Sequence, residues 1–153
     1  MKIVLASYYG FCMGVKRAIE ICETAAKSGH KTYLYHDLVH NPKVMESLNN
    51  KGIVIINRLE DVREEGKVIF PSHGVPPAVY KEAENRNLDI IDATCPLVKR
   101  VQKLIGRLTA KGYSIIHFGD RDHDETIGIT GYACKSFNVV NKLQEIKCLD
   151  ICR

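Results

Sequence analysis

The amino-acid sequence predicts an α/β fold: a small parallel-sheet α/β unit, followed by the beginning of a second similar unit. Three observations carry that expectation. Short apolar runs alternate with longer stretches whose apolar residues recur at three- and four-residue spacing, the pattern of strands and helices in turn. Gly and Pro stand where one kind of segment gives way to the other. With 45% hydrophobic and 26% charged residues among 153, and no low-complexity tract, the chain has the makeup of a packed globular protein.

Taken in order, residues 2–6 read as a short apolar strand, and residues 8–14 as a loop containing Gly10 and Gly14. Residues 15–27 have helical spacing, with the stripe Val15, Ala18, Ile19, Cys22 and Ala26, closed by Ser28-Gly29. A strand follows at 32–36. Asn41-Pro42 caps a helix running to residue 50, with Gly52 beyond its end. Residues 53–56 and 67–70 read as strands. Pro76-Pro77 opens a helix to residue 87, and residues 89–91 form another strand. Pro96 opens a long helix whose stripe is Leu97, Val101, Leu104, Ile105 and Leu108, ended by Gly112. A strand at 113–118, a short helix at 125–132 and a strand at 138–140 complete the reading. Residues 1–95 thus make a first complete unit, and residues 96–153 a partial second one. No linker marks the boundary near Cys95, so the two are expected to pack tightly.

Several function classes are excluded. The net charge of +4 is mild, no Lys/Arg block is dense, and no aromatic–basic repeat occurs, so nucleic acid is not the expected partner. The excess suits a small anionic ligand. The apolar runs are too short to cross a bilayer, and Lys2 is followed by only four apolar residues before Ser7, so neither a membrane span nor a secretory signal is expected. These readings place the chain in the cytoplasm. Six cysteines in such a setting point to metal ligation, redox chemistry or plain burial rather than disulfides. Cys22, on the apolar stripe of its helix, reads as buried.

Ligands of an open α/β sheet bind at the carboxyl ends of the strands. Five such loops carry reactive side chains at or just before a helix start: Gly-Phe-Cys12-Met-Gly, Val-His40-Asn-Pro, Pro-Ser-His73-Gly-Val-Pro, Asp-Ala-Thr-Cys95-Pro, and Gly-Asp-Arg-Asp-His123-Asp-Glu125-Thr. Cys134 and Cys148 lie elsewhere. A helix N-terminus offers unpaired N–H groups and partial positive charge, which stabilise a thiolate and bind phosphate. One edge of the sheet can therefore hold two thiolates on a metal centre and several imidazole donors around an anion. Cys12 and Cys95 are far apart in sequence and form no CxxC, so spacing alone names no metal.

The stretches GFCMGVKRAI, DLVHNPKVMESL, PSHGVPPAV, DATCPLVKRV and GDRDHDETIG resemble the 4-hydroxy-3-methylbut-2-enyl diphosphate reductase family, LytB-type iron–sulfur enzymes that close the non-mevalonate isoprenoid pathway, over roughly residues 1–145. The resemblance implies a [4Fe-4S] cluster with Cys12 and Cys95 as two of its ligands. It implies that His40, His73 and His123 contact the substrate's diphosphate or guide its protons. Glu125 matches the acid that supplies the proton when hydroxide leaves as water, a role suited to a carboxyl in a dry pocket. The reaction would be a two-electron reductive dehydroxylation giving isopentenyl and dimethylallyl diphosphate, with ferredoxin or flavodoxin as electron donor.

This chain departs from the family in three respects. Members are longer, with three similar α/β units around a central cluster, and here only the first and part of the second are present. The third cluster cysteine has no counterpart; Cys134, Cys148 or Cys152, the last two in a CxxxC, or another chain are the candidates to complete the site. Asp124 stands where many members have Pro. Two further readings therefore compete: a non-catalytic module lacking the third cysteine, and a phosphate-binding α/β module without redox activity.

Overall fold

The computed structural model describes residues 1–134, 136–147 and 149. Its first half is a four-stranded, all-parallel sheet in the order β2-β1-β3-β4, built from β1 (Lys31–Tyr35), β2 (Ile53–Ile56), β3 (Gly66–Phe70) and β4 (Asp89–Asp92). The register sets Tyr33 beside both Val54 and Val68, and Val68 beside Ile90. Parallel strands need crossovers, and helices α1 (Met13–Ala26), α2 (Pro42–Asn50) and α3 (Pro77–Asn85) cover the two faces.

Strand alternation builds two cores. Leu34, Ile53 and Ile69 turn to one face, where they meet Ala18, Cys22 and Ala25 of α1 and Met45 and Leu48 of α2. Tyr33, Ile56, Val68 and Phe70 turn to the other, against Val75 and Ala83. Because both faces are covered, the strands read as nearly continuous apolar runs, and this is why they were legible. The buried position expected for Cys22 is observed, and burial pushes its thiol up to about 12.

The second half begins with α4 (Pro96–Ala110) and continues through β5 (Ile115–Phe118), α5 (Asp124–Thr130), β6 (Phe137–Val140) and a short helix α6 (Leu143–Ile146). β5 and β6 pair in parallel as a separate two-stranded sheet. The order helix, strand, helix, strand is the expected one.

Two expectations are corrected, and one helix is covered only in part. Residues 2–6 form no strand: Ile3, Val4 and Leu5 are 75–76% exposed, and no described strand offers the backbone partner that a ladder requires. The strand expected at 113–118 begins later, because the Tyr113 N–H donates to the Leu108 carbonyl across Gly112 (φ +88°) and belongs to the closing turn of α4. The apolar stripe of α4 is also only partly buried. Ile105 packs inward with Gln102 and Thr109, while Leu97, Val101 and Leu104 remain 43–58% exposed. Two strands are too few to cover the full width of that helix. Among the described residues, no helix is long and apolar enough to cross a membrane.

Candidate active site

The four strands of the larger sheet run in one direction, so the loops after β1, β3 and β4 open on one edge. That edge gathers the candidate residues. Cys95 is the N-cap of α4 and Cys12 the N-cap of α1, as the sequence places them. Neither uses its side chain to cap the helix, so both thiols are free to face a ligand.

What brings the two cysteines together is Gly14, buried on the first turn of α1. A Cβ at this position would lie 2.6 Å from the Cys95 Sγ and 3.9 Å from the Cys12 Sγ. Both sulfurs therefore border the space left by the missing side chain. Two soft thiols brought close together at two helix starts suit iron–sulfur ligation, so the residues present fit part of a cluster's ligand set. Among the described residues, no group of three or more His, Cys, Asp or Glu is arranged to hold a metal ion. Cys134 is exposed and lies elsewhere, with its N–H donating to the Thr109 hydroxyl. Cys148 and Cys152, considered above as substitute ligands, lie outside the described residues.

The histidines form a second cluster. The His40 and His123 rings meet edge-to-face at 5.4 Å between centroids, joining a loop of the larger sheet to the start of α5. His123 caps that helix: its Nδ1 accepts from the Glu125 N–H at 3.2 Å, which leaves the proton on Nε2 in the neutral ring. His73 is more enclosed. Its Nδ1 lies 3.0 Å from the Gly74 carbonyl oxygen, its Nε2 3.2 Å from that of Asp37, and an Asp124 carboxylate oxygen stands 3.9 Å from Nε2. Burial lowers the imidazole below its ordinary pKa, and the two carbonyls and Asp124 pull the other way without prevailing. Asp124, where a proline was expected from the resemblance, thus faces a site histidine. Glu125 is exposed, and among the described residues its carboxylate makes no hydrogen bond or ion pair and no dry pocket forms around it.

Packing joins the two halves at this edge. Gly128 of α5 and Gly131, just past its end, lie against the loop carrying His73, where added side chains would run into Gly74 and Pro76. Gly74 itself has φ +77°, and a Cβ there would meet Gln102 of α4 and Thr94.

A family model described as LytB protein matches residues 3–152. The chain belongs to the LytB family. Among curated relatives it is similar to the 4-hydroxy-3-methylbut-2-enyl diphosphate reductases of Chlamydia trachomatis (46% identity, covering 97% of this chain and 48% of that protein) and Chlamydia felis (43% identity, 95% and 48%). A relative of the same name from Thermoanaerobacter is 42% identical, with 95% of this chain and 52% of that protein covered. Among solved structures, the E-1-hydroxy-2-methyl-but-2-enyl-4-diphosphate reductase of Plasmodium falciparum superposes with a TM-score of 0.89 at 34% identity, covering 94% of this chain and 45% of that one. A second, a structure of (E)-4-hydroxy-3-methyl-but-2-enyl diphosphate reductase, gives a TM-score of 0.80 at 36% identity over 94% and 52% of the two chains. The LytB chain described here spans about half the length of the curated relatives it matches.

Three residues at this edge were not singled out from the sequence: Gly14, Arg17, whose Nη1 lies 3.3 and 3.4 Å from the Ala93 and Thr94 carbonyl oxygens, and Asp92, whose carboxylate accepts the Thr94 N–H at 2.9 Å. Gly14 reads in the sequence only as part of a loop, yet its lack of a side chain matters through space. Asp92 had a readable signal, since Asp-Ala-Thr before a helix is the pattern of a side chain bonding a backbone N–H two residues on. Arg17 had none, because its partners lie far along the chain.

Proposed function

We propose that this chain supplies the cluster-binding and diphosphate-binding edge of a 4-hydroxy-3-methylbut-2-enyl diphosphate reductase. The observation that carries the reading is the close approach of both the Cys95 and the Cys12 thiols to Gly14. Residues 1–95 would serve as the first unit and residues 96–153 as part of the second. The reaction breaks the substrate's C–O bond, consumes two electrons and two protons, and releases water with isopentenyl or dimethylallyl diphosphate. Cys12 and Cys95 would hold a [4Fe-4S] cluster together with a third thiolate from a further polypeptide segment. When bound, that cluster supplies the electrons, which reach it from ferredoxin or flavodoxin.

The chain's own residues have distinct tasks in this reading. His123, its Nδ1 engaged by the Glu125 N–H, keeps an Nε2–H to donate to a diphosphate oxygen. His40, in edge contact with His123, adds a second donor. His73, held neutral by burial, has one N–H to share between its carbonyl partners and the substrate. Glu125 delivers the proton to the departing hydroxyl once substrate and the remaining polypeptide exclude water. A phosphate-binding module without redox activity is the competing reading, favoured by the lack of a three-ligand group among the described residues.

Anaerobic incubation with ferrous iron and sulfide separates the two. Iron retention with brown visible absorbance is expected, and loss of both in Cys12→Ser and in Cys95→Ser. A chain that retains no iron overturns the cluster assignment and leaves the phosphate module. In the completed enzyme, Glu125→Gln is expected to spare the cluster and abolish turnover.

A further inference from the structure

We infer that Arg17 and Asp92 are positioning residues that hold the turn carrying Cys95 against helix α1, and so set how closely the Cys95 thiol approaches the Cys12 thiol. The inference rests on the reading of those two thiols as paired ligands, and goes beyond it by naming what pairs them.

Residues 92–95 form a short turn between β4 and α4, fastened from several directions. One Asp92 carboxylate oxygen accepts the Thr94 N–H at 2.9 Å and so folds the turn back on itself. The other accepts the Tyr80 hydroxyl of α3 at 2.9 Å and pairs with the Lys99 ammonium of α4 at 2.6 Å. Burial opposes ionisation of this carboxyl, yet the bonds from Lys99, Thr94 and Tyr80 outweigh it and hold it below its ordinary pKa. Backbone bonds tie the turn to β3 and its loop: Ala93 N–H to Phe70 carbonyl at 3.1 Å, and Cys95 N–H to Ser72 carbonyl at 2.9 Å.

Two carbonyls of the turn face α1. Arg17 places Nη1 3.3 Å from the Ala93 oxygen and 3.4 Å from the Thr94 oxygen. A charged donor bridging two adjacent carbonyls fixes both the distance and the tilt of the turn relative to the helix. Arg17 follows Gly14 by three residues, so both lie on one face of α1. One turn earlier that face carries Gly14, which both sulfurs approach. Cys12 begins the helix that Arg17 anchors, and Cys95 ends the turn that Asp92 folds. The geometry of the thiol pair is thus set by two side chains that touch neither sulfur. Outer partners of this kind typically contribute about 10- to 100-fold to metal affinity.

Cadmium ion alone is the probe, read by its thiolate charge-transfer absorbance and by equilibrium dialysis. The parent is the full chain with Cys134, Cys148 and Cys152 changed to Ser; Cys22 stays, since it is buried. The parent is expected to bind at least about tenfold more tightly than its Cys12→Ser or Cys95→Ser forms, the gain of a second thiolate. Arg17→Ala and Asp92→Asn are each expected to weaken that binding about 10- to 100-fold, with Arg17→Lys recovering part of the loss. Added to Cys12→Ser, Arg17→Ala should change nothing, because no pair remains to be positioned. Where Asp92→Asn does not fold, Tyr80→Phe replaces it, with a smaller loss expected in the same direction. Unaltered cadmium affinity in folded Arg17→Ala overturns the inference, and so does an equal loss in the single-cysteine background. A parent that binds no more tightly than its single-cysteine forms instead removes the paired-thiolate reading itself.

Discussion

At the scale of single residues, His73 shows how position limits chemistry. Both ring nitrogens face carbonyl oxygens, but a neutral imidazole has one N–H, so only one contact is a hydrogen bond at a time. Protonation would satisfy both, yet burial disfavours the charge and prevails. The unfolded chain has no such penalty and takes up a proton near the ordinary value of 6.5. Below that value the unfolded state binds more protons than the folded one, so stability falls as pH drops toward the depressed folded-state pKa. Urea midpoints measured across this range are expected to decline with acidification, and His73→Asn to flatten the decline. An unaltered profile in that variant would assign the effect to another group. His40, His73, His123 and Cys95 each stand between a strand and the helix that follows, a junction local sequence marks well, whereas Cys12 starts a helix with no strand before it. The packing of Cys95 on Gly14 was not legible, because the two residues are far apart in the sequence.

At the scale of elements, local signals and tertiary demands part company. Helix α2 was readable at both ends: the Asn41 side chain accepts the Val44 N–H at 3.3 Å, Pro42 opens the helix, and Gly52 follows its end with φ +86°. Asn41→Ala is expected to lower stability by about 1 kcal/mol, the usual effect of losing such a cap, without altering metal binding. A denaturation curve compared with that of the parent checks both the size and the independence. Residues 2–6 were misread for the opposite reason. Their apolar character is real, but a strand exists only through its neighbour, and composition names no neighbour. Helix α4 was correctly bounded, but only part of its apolar stripe is buried. Its apolar stripe is continuous in the sequence, whereas the width actually buried depends on how many strands lie beneath it.

At the scale of the whole molecule, two sheets of unequal size share one reactive edge. The larger is covered on both faces; the smaller leaves Ile116 and Phe118 of β5 exposed, on a chain that already exposes Leu97, Val101 and Leu104 of α4. This uncovered surface belongs to a chain that matches about half the length of its relatives. Residues 2–6 carry a separate consequence for how the protein behaves in a tube. Ile3, Val4 and Leu5 present apolar side chains together with backbone donors and acceptors to water, which makes the stretch adhesive toward any other extended chain. A net charge of +4 offers only modest repulsion between molecules, and salt screens it further. Light scattering is therefore expected to report an apparent mass that rises with concentration and with ionic strength. Val4→Lys, a gatekeeper placed in the middle of the stretch, is expected to abolish the rise. A mass independent of both variables would mean that the exposed stretch is not sticky in solution. If the rise is found, the chain's colloidal behaviour traces to five exposed residues just ahead of the Cys12 loop, apolar and without a strand to lie beside.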